Sequence, residues 1–259
     1  MEGMKHFVFV DAACFGEWPW FKVRIPLQAA GHLITTIDMG TTALNAKSFY
    51  EIYPLSDLME PLLKFLASLK ADDKVILVGH SYGGISIALA MEKFPQKVSV
   101  GVFVSAFMPT YKSSPGALIE EYLNRTPLES LMDCLLKFDH GVDTIQSSIC
   151  FGPEYMKAKV FKNCTESIVE IANQKVRTTK FCKEDISKGS LLTKERYGSI
   201  DRIYVMCGDD EVIEPEFQRE MIENDPPKEV FTISGADHMP MLSKVEELSK
   251  ILEDIAYKY

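Results

Sequence analysis

The hexapeptide Gly79-His80-Ser81-Tyr82-Gly83-Gly84 constrains this chain more than any other stretch. It follows Val75-Ile76-Leu77-Val78, a continuous aliphatic run of the kind buried on both faces of a parallel sheet. It precedes Ile85 to Phe94, a helical pattern stopped by Pro95. A G-x-S-x-G motif in that context puts the serine on a turn so tight that only glycine fits beside it. The turn lifts the hydroxyl above the sheet and aims the next helix's amino terminus at it. Such an elbow belongs to an α/β chain in which strands and helices alternate.

The rest of the sequence supplies that alternation. His6-Phe7-Val8-Phe9-Val10 reads as a strand, a helical stretch follows and stops at Gly31, and Leu33 to Ile37 reads as a second strand. Leu58, Met59, Leu62, Leu63, Leu66 and Leu69 give one apolar helix face. Val98 to Val104 is the strand after the elbow helix. From Pro109 to Gly189 the pattern breaks into scattered Pro, Gly and Asn with no convincing strand; Arg202 to Met206 then resumes the sheet. Glu229 to Ile233 is a further strand, and Val245, Leu248, Ile251, Leu252 and Ile255 mark a terminal helix. The expected fold is α/β, a mostly parallel, doubly wound sheet built from residues 1–108 and 190–259. Residues 109–189 form an inserted helical cap over the carboxyl ends of the strands, where ligands bind in such sheets.

A chain of 259 residues buries about three quarters of its unfolded surface without staples. With 46% hydrophobic and 25% charged residues, disorder, collagen and coiled coil fall away. The net charge of −9 leaves no basic stripe to neutralise phosphates, so neither nucleic acid nor an anionic membrane is expected as a partner. No apolar run is long enough to span a bilayer, and Met1-Glu2-Gly3-Met4-Lys5 leads straight into the first strand without a signal pattern, so a cytoplasmic protein is expected. Six cysteines with no C-x-x-C predict reduced thiols, no metal and no cofactor.

A serine hydroxyl becomes a nucleophile only when a base removes its proton, and elbow serines take an acid and then a histidine later in the chain. His238, in the polar loop Ser234-Gly235-Ala236-Asp237-His238-Met239 after a strand, fits that order; His6, His32 and His140 do not, and His80 reads as packed. The acid follows the strand ending at Met206, where Asp209, Asp210 and Glu211 are adjacent and spacing does not choose among them.

With these residues in view the sequence resembles the plant methylesterase and hydroxynitrile lyase family of α/β-hydrolases over nearly its whole length. The likeness is carried by Ala29-Ala30-Gly31-His32, Asp73 to Ser81, Ala90-Met91-Glu92-Lys93, Arg196-Tyr197-Gly198-Ser199 and Ala236-Asp237-His238-Met239. It implies an α/β-hydrolase fold and a triad of Ser81, His238 and Asp210, with Asp209 the neighbour set aside. It also implies an oxyanion hole from the backbone amides of Ala13 and Tyr82. Where relatives carry a His-Gly or His-Thr pair this chain has Asp11-Ala12, and Met239 replaces the lysine associated with hydroxynitrile lyases. The site therefore resembles the esterase branch: a carboxylic ester hydrolase acting on a methyl ester of a small metabolite. That ester is a hormone ester or a carbomethoxy alkaloid whose freed acid then loses carbon dioxide. Lyase-type carbonyl chemistry and a slow-turnover receptor are the alternatives.

Substrate contacts are expected from Asp11, Ala12, Trp18, Phe107, Tyr122 and Met239. The wider apolar supply of the cap is Met108, Tyr111, Leu131, Met132, Phe138, Phe151, Tyr155, Met156 and Phe161. An ionised Asp11 about 6 Å from the oxyanion would oppose it by about 3 kcal/mol at an effective dielectric of 20. Asp11 is therefore turned away, protonated, or paired with a basic substrate nitrogen. The expected partner is a small ester, and a homodimer is left open.

Overall fold

In the computed structural model, which describes residues 3–10, 13–39, 55–137, 148–189 and 191–259, the apolar run His6–Val10 forms β1. A 3₁₀ turn at Trp18–Trp20 leads into α1 (Phe21–Ala29), which ends before Gly31 at φ +94°, and β2 (Leu33–Ile37) pairs in parallel with β1. Helix α2 (Leu55–Ser68) buries the Met59, Leu62 and Leu66 stripe that its periodicity predicts. Strand β3 (Val75–Ser81), helix α3 (Gly83–Lys93) and strand β4 (Val98–Ala106) follow.

Between β4 and the resumption of the sheet lie α4 (Pro115–Arg125), β5 (Leu135–Lys137), β6 (Ser148–Cys150), α5 (Pro153–Tyr155), α6 (Glu166–Lys175), β7 (Thr179–Lys180) and α7 (Lys183–Ile186). Strands β5, β6 and β7 make a small antiparallel sheet, so the expectation of an insertion without strands is corrected. Strands of two or three residues are too short to show the alternation by which a strand is recognised in sequence. The chain closes with β8 (Arg202–Cys207), α8 (Pro215–Asn224), β9 (Glu229–Ile233), α9 (Pro240–Ser243) and α10 (Val245–Lys258).

The main sheet has the order β2-β1-β3-β4-β8-β9 and every described pairing in it is parallel. Burial follows position: every residue of β3 is buried, whereas the edge strands β2 and β9 leave residues exposed. The chain runs outward from β1 to β2 and returns to β3 on the other side of β1. That reversal opens a crevice at the carboxyl ends of β1 and β3. Ser81 ends β3 and Ala13 lies just beyond β1, so the topology brings both to that crevice. Among the described residues no helix is long and apolar enough to cross a membrane, and no two cysteines are joined in a disulfide.

Candidate active site

Ser81 sits at φ +53°, in the left-handed region, and glycine clears the space around it. A Cβ on Gly79 would stand 2.8 Å from the Gly83 carbonyl oxygen, and one on Gly84 would collide with the carbonyl of Phe107. The Phe107 N–H donates to the Ser81 carbonyl at 3.1 Å, pinning the elbow to the end of β4.

The loops after β8 and β9 bring the other two groups to this hydroxyl. His238 is 2% exposed; its Nδ1–H donates to Asp210 Oδ2 at 2.8 Å, which leaves Nε2 to accept the Ser81 hydroxyl at 3.0 Å. Of the three adjacent carboxylates Asp210 alone makes this contact. Asp209 is exposed, and Glu211 pairs at the surface with Lys162 at 2.5 Å. Asp210 is only 1% exposed, and donors compensate its burial. Its Oδ1 accepts the backbone N–H groups of Val212 at 2.7 Å and Ile213 at 3.0 Å. Its Oδ2 accepts the Ser105 hydroxyl and, at 3.4 Å, Gln218 Nε2.

His80 packs beside the relay, its ring 4.7 Å from that of His238, and donates Nε2–H to the His238 carbonyl at 2.6 Å. Burial, and after it the neighbouring His238, holds its pKa well below the ordinary histidine range, so His80 is a neutral buttress. Asp237, fully buried, fixes the same loop: Oδ1 accepts from Met239 N–H at 3.0 Å and Ser243 Oγ at 2.6 Å, and Oδ2 from Asn163 N–H at 2.9 Å.

The loop after β1 is tied to the insertion. Cys14, at φ +74°, donates its N–H to Thr179 Oγ1 at 2.7 Å, and its carbonyl accepts the Arg177 N–H at 2.8 Å. Burial pushes the Cys14 thiol up to about 12, so it stays a thiol, and its Sγ donates to the Ile149 carbonyl at 3.5 Å.

A cavity of about 50 Å³ opens beside Ser81, with Ala13 and Tyr82 in its wall together with Phe107, Tyr122, Leu131, Phe151 and Tyr155. Ala13, Tyr82, Phe107 and Tyr122 are thus brought together beside Ser81. Leu123, Thr126, Ile149, Phe181 and Val212 complete the wall and were not singled out by sequence. Ile149 belongs to the small antiparallel sheet and Phe181 follows its last strand, which left no periodic signal. Tyr122 donates its hydroxyl to the Val212 carbonyl at 2.8 Å and Tyr82 donates to that of Phe181. Burial, followed by Asp210 for Tyr122 and by Cys182 for Tyr82, raises both phenols, which keeps them neutral.

Two expected contacts are corrected. Trp18 does not line the cavity; it packs edge-on to Phe15 at 6.4 Å and stacks on Phe161 at 6.3 Å. Met239 is fully buried outside the cavity wall, at the start of α9. Of the wider apolar supply, Met108, Met156 and Phe161 are core and Met132 is exposed. Asp11, Ala12, Phe138 and His140 lie outside the described residues. A more open groove of about 630 Å³, between the amino end of β1 and α10, holds none of these groups. Among the described residues no group of three or more His, Cys, Asp or Glu converges as a metal site.

The family described as "Alpha/beta hydrolase family" matches residues 6–251. Methylesterase 10 of Arabidopsis thaliana is 43% identical over 99% of this chain and 93% of its own length. Salicylic acid-binding protein 2 of Nicotiana tabacum is 40% identical over 100% of both chains. The crystal structure of polyneuridine aldehyde esterase superposes with a TM-score of 0.90 at 37% identity, covering 98% of this chain and 99% of that one.

Proposed function

The chain belongs to the plant methylesterase and hydroxynitrile lyase family of α/β-hydrolases and is a carboxylic ester hydrolase, and from that premise we propose that it cleaves the methyl ester of a small plant metabolite through an acyl-enzyme on Ser81. The observation that carries the proposal is the relay from Ser81 Oγ to His238 Nε2 and from His238 Nδ1 to Asp210, opening on an apolar cavity.

In this reading Ser81 attacks the ester carbonyl while His238 takes its proton, and Asp210 holds the ring and stabilises the imidazolium. The tetrahedral oxyanion forms beside the backbone amides of Tyr82 and Ala13. The Tyr82 amide opens α3, where the first N–H groups have no intrahelical acceptor and the helix dipole favours negative charge. Methanol leaves with the proton from His238, and water on the reverse path frees the acid. The described wall carries no charged side chain, which suits an uncharged aromatic or aliphatic acyl group such as a hormone ester.

The test incubates the protein with a panel of methyl esters that includes jasmonate, salicylate and carbomethoxy indole alkaloids, with product read by mass. A fluorophosphonate should label Ser81, and Ser81→Ala should lower turnover at least ~10³-fold. Labelling elsewhere, or an alanine variant that keeps its rate, overturns the nucleophile. One equivalent of product with no further turnover favours a receptor.

A basic alkaloid ester is the second reading, favoured by the likeness to polyneuridine aldehyde esterase and by the carboxylate of Asp11 next to β1. If Asp11 pairs with a substrate ammonium, Asp11→Asn speeds a small neutral ester and weakens the basic one. The same direction for both, or no response, removes the support that Asp11 lends to that substrate.

A further inference from the structure

β4 carries an irregularity directly opposite the elbow. Its register with β3 runs His80 to Val104 and then Ser81 to Ala106, so Ser105 has no partner on β3, and the pairing of β4 with β8 has already ended at Val104. Ser105 is therefore the extra residue of a bulge, with φ at +39° and no exposed surface. Bulges re-aim a side chain, and a strained, buried, polar residue inside an apolar strand persists where the surrounding structure holds it. Here the side chain meets Asp210 Oδ2, the same oxygen that receives His238 Nδ1–H.

We propose that Ser105 is a positioning residue of the reaction, its hydroxyl holding the Asp210 oxygen on which His238 is oriented. The inference rests on the triad reading given above. The two backbone amides of Val212 and Ile213 hold Oδ1, whereas Oδ2 has only Gln218 at 3.4 Å besides His238 and Ser105. Without the Ser105 hydroxyl, Oδ2 keeps one short donor, the histidine itself, and the carboxylate is held at close range only through Oδ1, about which Oδ2 and the ring bonded to it can swing together. Ser105 touches neither substrate nor the Ser81 hydroxyl; its effect passes through Asp210 to His238.

The experiment compares wild type, Ser105→Ala, Ser105→Gly and Ser81→Ala on 4-nitrophenyl acetate, and records the low-field proton resonance of the His238 Nδ1–H in the first three. Alanine removes the hydroxyl and keeps the strain; glycine removes both. If the hydroxyl positions the relay, both Ser105 variants lose about tenfold or more in kcat with KM within about twofold, and the low-field resonance shifts or broadens. If the bulge serves only the backbone, the glycine variant keeps wild-type kcat with the resonance unmoved, and the proposal is overturned. Should the alanine variant fail to fold, the glycine variant and its spectrum decide alone. An inactive Ser81→Ala beside fully active Ser105 variants overturns this inference and leaves the triad reading standing; an active Ser81→Ala overturns both.

Discussion

Asp210 and Asp209 are neighbours of the same chemistry, and what separates them is the number of donors each can meet. Asp210 meets five from outside its own residue and is nearly inaccessible, whereas Asp209 faces solvent. Asp210→Asn should therefore reduce kcat by about 10⁴, because the amide imposes the wrong tautomer on His238, while Asp209→Asn changes it less than about twofold. Steady-state kinetics on 4-nitrophenyl acetate decides, and equal losses would leave the acid unassigned. His80 sets the acid stability at the same scale. Its folded pKa is depressed, so at pH above about 6.5 both states are neutral and it contributes nothing to the pH dependence. As pH falls below that value the unfolded chain gains a proton that the native state refuses. Stability then drops by up to about 1.4 kcal/mol per pH unit from this group. Urea denaturation at pH 7 and pH 5 should show a smaller difference for His80→Gln than for wild type. An unchanged difference would mean that His80 is not held neutral.

Among the elements, the small antiparallel sheet of the insertion has a role beyond walling the cavity. β7 supplies the Thr179 hydroxyl to the Cys14 N–H, and so fixes a left-handed residue next to Ala13. Thr179→Val keeps the volume and leaves that buried donor without an acceptor, which costs about 1–3 kcal/mol. If the Ala13 amide faces the oxyanion, kcat should also fall by about tenfold or more, up to the ~10²–10³ that loss of a whole donor brings. Thr179→Ser should restore both. Full activity in the valine variant, with the loss of stability confirmed by urea, would detach this sheet from the reaction. The elbow is an element-scale device of the same kind, since the tightness that strains Ser81 is permitted by Gly79 and Gly84.

At the scale of the molecule, insertion and core are joined at several separate points. Thr179 and Arg177 hold the loop after β1, Asn163 reaches Asp237 in the histidine loop, and Tyr122 reaches Val212 beyond the acid. Such ties predict one cooperative unfolding transition, with far-ultraviolet and near-ultraviolet circular dichroism superimposing on heating; two resolved transitions would show that the insertion melts by itself. The succession of the main-sheet strands along the chain, the elbow and the candidate serine and histidine were legible in the sequence. Long apolar runs, a glycine-bounded serine and a late histidine each carry a local pattern that depends on nothing distant. The small sheet was not legible, because strands of two or three residues have no periodicity. Ser105 and Gln218 were missed although a lone serine in Val100 to Ala106 is a visible irregularity, because its meaning lies in a carboxylate 105 residues away. Spacing alone left three acids open, and the family likeness pointed to Asp210. Tertiary structure brings Asp210 to His238 and sends Trp18 and Met239 into packing, because which side chain reaches the crevice depends on how loops from β1, β4, β8 and β9 converge, and convergence is a property of the folded chain.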